Sequence, residues 1–178
     1  LDLLEAAEQN EGEPVKQKLQ AYSQALPSTA LTSFQVCLSG GDPEKGRKIF
    51  FERAEVACMR CHKIAGEGGD VGPDLSTVSA RQSRQYLLES ILTPNKQIAQ
   101  GFETLIITLK DGSAYAGMIK SENVTELVIN SPEDGLVTVA RDDIESRTPS
   151  LSPMPEGMEN ILTKRDLRDL IEFLGILK

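Results

Sequence analysis

Cys58-Met59-Arg60-Cys61-His62 is the stretch of sequence from which the fold can be inferred. The chain has 178 residues with three cysteines and one histidine, and this stretch holds two of those cysteines and the only histidine. Thiol and imidazole groups are the side chains best suited to covalent and metal chemistry near neutral pH. Their concentration in one short segment makes that segment the candidate functional site.

Three familiar uses of paired cysteines fit this stretch poorly. A structural zinc site needs four ligands, whereas Cys58, Cys61 and His62 supply at most three, and the remaining Cys37 lies in another segment. A thioredoxin-like redox pair requires a βαβ unit that the flanking sequence does not predict. A disulfide across two intervening residues would be strained and would leave His62 without a role.

Covalent haem attachment explains all three residues together. Two thiols separated by two residues can reach the vinyl groups along one edge of a porphyrin, and a histidine next in sequence can coordinate the iron beneath it. The aromatic content of only 4%, with no tryptophan, is compatible with a core built partly around such a large flat apolar group. The motif therefore predicts haem c attached through Cys58 and Cys61, with His62 as an axial ligand.

The second axial ligand cannot be a histidine of this chain, because His62 is the only one. Of the four methionines, Met59 lies inside the motif and Met118 lies in a predicted strand. Met154 is flanked by Pro153 and Pro155, which restrict the backbone and reduce the entropy lost on ligation. We therefore expect Met154 to ligate the iron, with Met158 as the weaker candidate. Met/His ligation favours electron transfer over oxygen chemistry.

Composition excludes several other functions. The formal net charge is −8 and the pI about 4.8, so a general role in binding nucleic acid or anionic membranes is not expected. No apolar run approaches the roughly 20 residues of a membrane span. The chain begins at Leu1 rather than Met, which suggests a processed chain or a fragment and leaves open what precedes it.

The N-terminal region and its neighbour are predicted to be helical. Residues 1–26 should form two helices, with Pro14 in the first turn of the second. Pro27-Ser28-Thr29 should break the chain before a short helix over 30–37. Asp42 and Pro43 mark the start of a helix that runs to about residue 52.

Beyond the Cys-x-x-Cys-His motif, residues 63–78 should form a loop, followed by a helix over 82–92 that Pro94 terminates. The pattern changes after Gly101 to β-type residues with turns at 111–112 and 131–135. Predicted strands span 104–109, 114–119, 126–129 and 136–140. Residues 148–157 should be an irregular loop before a final helix capped by Thr163.

The arrangement of these features resembles the class I c-type cytochromes. The resemblance rests on Gly46 and Phe50, the Cys-x-x-Cys-His motif, Gly72-Pro73, and Met154 before a C-terminal helix. It implies that the first and last helices cross near Gly46, with Phe173 as the aromatic partner. It also implies that the Pro73 carbonyl accepts a hydrogen bond from His62 and so orients the ring.

A closer resemblance is to the haem-binding domain found in large Planctomycetes and Verrucomicrobia proteins. It covers roughly residues 40–175, and the stretches that carry it are 40–50, 68–75, 86–91, 101–104, 109–112, 154–155 and 168–174. In that family the domain often ends a chain that also holds a sugar-dehydrogenase-like propeller and helical repeats. The resemblance implies that the electron donor is a fused or associated dehydrogenase, and that residues 1–36 end a helical region.

Two features depart from an ordinary cytochrome c. The β-rich segment is inserted before the Met154 loop, and its pattern is similar to small SH3- or Sm-like barrels. We interpret it as a structural cap or docking surface, because nine acidic residues there argue against RNA binding. Cys37 is the second departure: it is either a buried apolar-like residue or the link of a dimer. Arg81, Arg84 and Tyr86 are candidates to contact the haem propionates.

The sequence thus predicts a mainly α cytochrome c fold around one covalent haem, with an inserted small antiparallel β barrel or sheet. The expected organisation is a helical extension at 1–39, cytochrome segments at 40–101 and 148–178, and the β insert at 102–147. The expected function is single-electron transfer by a domain that is not itself an enzyme, in the periplasm or another extracytoplasmic compartment. The alternative is a ligand-binding or catalytic haem site with a labile distal Met154.

Overall fold

The computed structural model describes residues 1–26, 31–131 and 133–178. The N-terminal part forms two α-helices, α1 (Asp2–Glu8) and α2 (Glu13–Ala25), followed by a 3-10 helix at Thr32–Cys37. Pro14 lies in the first turn of α2, as predicted. The predicted break at 27–29 and the first residue of the predicted 30–37 helix lie outside the described residues.

Helix α3 (Pro43–Glu52) begins where the sequence predicts, because the Asp42 side chain accepts hydrogen bonds from the backbone N–H groups of Glu44 and Lys45. The short helix α4 (Cys58–Cys61) follows, then a hairpin of two-residue strands, β1 (Lys63–Ile64) and β2 (Glu67–Gly68). That hairpin and the 3-10 turn Val78–Ala80 lie in or next to the segment predicted to be an irregular loop.

Helix α5 (Arg84–Leu92) agrees with the predicted helix, and the final helix α6 (Lys164–Leu174) begins at a capping box formed by Thr163 and Asp166. A 3-10 turn, Met158–Asn160, precedes α6. The apolar positions of these helices share one core with residues of the Thr32–Cys37 helix. The predicted crossing near Gly46 is confirmed, because α3 packs against α6 there.

Gly46 allows this crossing because a side chain would not fit. A Cβ atom built there would lie 2.0 Å from the Asp169 carbonyl oxygen and 2.7 Å from the Phe173 Cβ. The Asp42 backbone N–H also donates to Asp169 Oδ1 at 2.8 Å, which fixes the start of α3 on α6. Helices α3 and α6 are therefore held in direct backbone contact.

Five further strands form one antiparallel sheet: β3 (Thr104–Leu109), β4 (Ala114–Glu122), β5 (Glu126–Ser131), β6 (Gly135–Ala140) and β7 (Ile144–Pro149). Their order is β6-β5-β4-β3-β7. Among the described strands β6 and β7 lie at opposite edges and do not pair, so the sheet is open and the barrel alternative is not found. One residue of the predicted 131–135 turn, residue 132, lies outside the described part of the chain.

The sheet has its own apolar core, separate from that of the helices. Ile107, Leu127, Ile129 and Val139 are buried in it. Strand β7 was not predicted, and it ends at Pro149, beyond the predicted boundary at 147. Its pairing with β3 brings the start and the end of the insert together, since Ser150 N–H donates to the Thr104 carbonyl at 2.9 Å.

Cys37 is completely buried, and its thiol donates to the Lys164 carbonyl at 3.2 Å. Burial raises the pKa of this thiol to about 11. A buried, protonated thiol is poorly placed to form a disulfide with a second chain. The dimer predicted through Cys37 therefore has no support from the structure, whereas the alternative of a buried apolar-like residue fits it.

Candidate functional site

The candidate site is an apolar cavity between α4, α5 and the loops that carry Pro73 and Met154. It brings together the Cys-x-x-Cys-His residues and Met154, which are far apart in the sequence. The lining includes one carboxylate, that of Asp74, and one guanidinium, that of Arg81. The apolar part of the lining includes Val56, Val71, Leu75, Val78, Leu87, Ile91, Pro94, Ile98, Phe102, Leu162 and Leu170.

Helix α4 presents both motif cysteines to the cavity. Cys58 and Cys61 lie three residues apart on a helical turn, and residues at that spacing share one face. The turn is entered through Ala57, whose φ of 49° is in the left-handed region. Both side chains are half-buried and form no disulfide among the described residues, and burial raises the pKa of Cys58. The two sulfur atoms are thus held on one wall of the cavity.

His62 follows in extended backbone and points its ring into the same cavity. Its Nδ1 lies 2.9 Å from the Pro73 carbonyl oxygen, which can only accept a hydrogen bond. The proton is therefore on Nδ1, and Nε2 carries the free lone pair that metal ligation requires. Burial lowers the pKa of His62, which keeps the imidazole neutral.

Gly72 forms the surface on which the His62 ring rests. A Cβ atom at this position would lie 2.7 Å from Cε1 and 2.8 Å from Nδ1 of the ring. The Gly72 backbone N–H donates to the Cys61 carbonyl at 2.7 Å, so the loop is tied to the end of α4. The Gly72-Pro73 pair therefore sets both the position and the tautomer of His62.

Met154 and Met158 both line the cavity, and Met59 and Met118 do not. Met154 is half-buried in a loop, and its backbone N–H donates to Ser152 Oγ at 3.2 Å. Met158 is 7% exposed and belongs to the apolar core at the 3-10 turn before α6. The two methionines predicted as candidate ligands therefore both lie at the site, and Met154 is the less buried of the two.

The three residues proposed to contact haem propionates have different surroundings. Arg81 and Tyr86 line the cavity, and the Arg81 guanidinium donates to the Asp74 carbonyl at 3.0 Å. Arg84 instead donates to both carboxylate oxygens of Glu172, each at 2.6 Å. The structure therefore gives no support to the prediction for Arg84, because α6 supplies the carboxylate that this side chain binds.

Sequence reasoning missed the part of the lining that leads into the sheet. Gln97, Ile98 and Ala99 border the cavity together with Phe102. Their signal in the sequence is weak, because they follow Pro94 in irregular backbone that has no periodic pattern. The 3.6-residue period of α5 did carry a signal, since Leu87 and Ile91 lie one turn apart and both line the cavity.

The arrangement fits a covalently attached haem. It offers two thiols on one wall, a neutral imidazole with a free Nε2, a thioether in a neighbouring loop and a largely apolar lining. Among the described residues, no group of three or more His, Cys, Asp or Glu side chains is arranged to hold a metal ion, which gives the zinc alternative no support. In the same part of the chain no helix has the length and apolar character to cross a membrane.

Residues 43–128, just under half of the chain, match the family model of cytochrome c. The matched segment contains α3, the Cys-x-x-Cys-His motif and α5, and it ends inside β5. The match supports a c-type cytochrome with haem-based electron transfer, and the cofactor of such a domain is haem c, attached covalently and containing iron. The Met154 loop and α6 lie beyond the matched residues.

Proposed function

We propose that this chain is a monohaem c-type cytochrome domain that carries single electrons between proteins outside the cytoplasm. Cys58 and Cys61 would attach the haem, and His62 and Met154 would be the axial ligands. When bound, the haem supplies an iron that exchanges one electron between its ferrous and ferric states. The observation that carries the proposal is the meeting of these four side chains at one apolar cavity.

The protein groups act mainly by fixing positions. Pro73 holds the proton of His62 on Nδ1, so the ring is oriented before any ligand binds. Prolines on both sides of Met154 restrict the loop that presents the thioether. Ligands that stay in place in both redox states keep structural rearrangement small, and this favours electron transfer. A Met/His pair also raises the reduction potential.

The surroundings of the site are apolar toward α5 and α6 and carry a positive charge at Arg81. Leu87, Ile91 and Leu170 provide apolar contact from α5 and α6. Arg81 is exposed at the rim of the cavity, and we propose that it contacts a haem propionate. Arg is suited to this role because its fork of N–H donors matches a carboxylate.

The redox partner is proposed from the resemblance to the domain of large Planctomycetes and Verrucomicrobia proteins. In that setting a fused or associated dehydrogenase would donate the electrons. The periplasm or an equivalent compartment is proposed because haem attachment by this motif takes place outside the bacterial cytoplasm. The β insert is proposed to be a cap or docking surface, which its separate core supports.

The test is to produce the chain with a periplasmic haem-attachment system and to compare Met154→Ala with Met158→Ala. We expect a c-type spectrum in the parent that carbon monoxide does not change. Met154→Ala should open the iron to carbon monoxide and lower the reduction potential, whereas Met158→Ala should retain the parent's behaviour. If the parent binds carbon monoxide at once, the proposal of electron transfer is rejected in favour of a ligand-binding or catalytic haem site with a labile Met154.

A further inference from the structure

The loop that carries Met154 is held on both sides by one side chain from outside the loop. The Ser152 backbone N–H donates to Asn95 Oδ1 at 2.7 Å. Asn95 Nδ2 in turn donates to Glu156 Oε1 at 2.6 Å. These hydrogen bonds bracket Met154, because they fix the residue two positions before it and the residue two positions after it.

Asn95 is well placed to act as an anchor. It follows Pro94, which is buried and lines the cavity, and it lies shortly after the end of α5. In α5 itself Leu88 and Ile91 are buried in the helical core. The Met154 loop is much less supported, since Leu151 is 71% exposed and the prolines on either side of Met154 are also exposed. The two bonds of Asn95 thus connect an exposed loop to the end of α5, a helix that packs in the helical core.

We propose that Asn95 is a positioning residue for Met154, which holds the thioether in place and limits how often the loop opens. The inference rests on the proposed function, because it takes Met154 as the axial ligand. Asparagine suits the position since it offers an acceptor and a donor on one short side chain. Aspartate would keep the acceptor but lose the donor, and it would bring a second carboxylate against Glu156.

Exchanging the amide at position 95 with the carboxylate at position 156 gives a test in which the second substitution should restore what the first one removes. In Asn95→Asp the two carboxylates repel, and the loop should open more often. Glu156→Gln should be silent, because the carbonyl oxygen of the introduced glutamine still accepts from Asn95. In the double variant the glutamine amide introduced at position 156 can donate to the aspartate introduced at position 95, so the bracket should be restored.

Two measurements report the state of the Met154 loop. One is the charge-transfer absorption of the thioether–iron bond in the ferric protein, and the other is the rate of carbon monoxide binding to the ferrous protein. Asn95→Ala loses both hydrogen bonds, and the carbon monoxide rate should rise about tenfold to thirtyfold. Asn130→Ala is the matched control, because Asn130 is also half-buried but lies in β5 away from the cavity.

The outcomes separate this inference from the proposed function. A parent without the thioether absorption refutes Met154 ligation, and the inference falls with it. If the parent shows the thioether absorption, and Asn95→Ala and Asn95→Asp bind carbon monoxide no faster than Asn130→Ala, the proposed function stands while this inference is refuted. Faster carbon monoxide binding in Asn95→Asp that Glu156→Gln reverses supports it. If Asn95→Asp binds carbon monoxide faster and adding Glu156→Gln does not slow it again, the proposed role of the two Asn95 hydrogen bonds is refuted. This comparison does not depend on whether Asn95→Ala folds.

Discussion

Replacing Gly72 by alanine tests whether the surface under His62 is as tightly fitted as its geometry indicates. The added Cβ would lie 2.7 Å from Cε1, 2.8 Å from Nδ1 and 3.2 Å from Nε2 of the ring. Two of these separations are shorter than side-chain contacts allow, so either the ring or the loop must move. The ring is held by Pro73 at 2.9 Å and the loop by Cys61 at 2.7 Å.

The cost of Gly72→Ala follows from these constraints. Relief of the overlap should weaken one hydrogen bond, at about 1 kcal/mol, and the residual overpacking should cost about 1–2 kcal/mol. Alanine recovers about 0.5–1 kcal/mol by restricting the unfolded chain. The net loss of about 2 kcal/mol corresponds to a fall in melting temperature of about 4–8 °C for a chain of this size.

The reduction potential gives a second, independent readout of Gly72→Ala. The hydrogen bond from Nδ1 to Pro73 makes the imidazole a stronger donor, which stabilises the ferric state. A weakened bond should therefore raise the potential. The control is Gly12→Ala, because the φ of Gly12 is −67° and its Cβ would meet only the exposed Asn10 side chain. Equal melting temperatures and potentials in the two variants would refute the argument.

Two further predictions concern the sheet and the helical core. Replacing 105–149 by a two-residue turn should preserve haem attachment and resistance to carbon monoxide in the absorption spectrum, because Thr104 and Ser150 are already paired; failure to attach haem would contradict this. Arg84→Met should lower the free energy of unfolding by about 1–2 kcal/mol at neutral pH. Arg84 lowers the pKa of Glu172, so this contribution is present above the ordinary pKa and is lost as pH falls through the lowered one. The difference between the thermal melts of parent and variant should therefore decrease in acid, where only the Arg84 bond to the Leu38 carbonyl still distinguishes them. A pH-independent difference would contradict the assignment.

Local signals in the sequence predicted the helical frame well. The Asp42-Pro43 start and the Thr163 cap are short-range features, because a cap needs only the residues of its own first turn. The crossing at Gly46 was predicted through family resemblance, since no local pattern identifies the partner of a glycine. The motif itself placed two cysteines and His62 at the cavity wall.

The misses share one physical cause, which is that they depend on contacts between distant segments. Nothing local distinguishes Arg81 from Arg84, because the Glu172 carboxylate that binds Arg84 lies 88 residues away in the sequence. Strand β7 is polar and mostly exposed, so it lacks the apolar alternation that marks a half-buried strand. Its existence depends on pairing with β3, which sequence periodicity does not report.

The sheet and the Met154 loop are linked where the two ends of the insert meet, at Thr104 and Ser150. Ser150 N–H donates to the Thr104 carbonyl at 2.9 Å, and Thr104 Oγ1 donates to the Leu151 carbonyl at 2.5 Å. Ser152 is then held by Asn95. Three consecutive residues before Pro153 are thus fixed by groups at the entrance of the sheet or the end of α5. The two ends of the insert therefore meet where they can restrain the loop that carries Met154. A deletion that keeps the hydrogen bonds of Thr104 to Ser150 and Leu151 should keep this loop restrained.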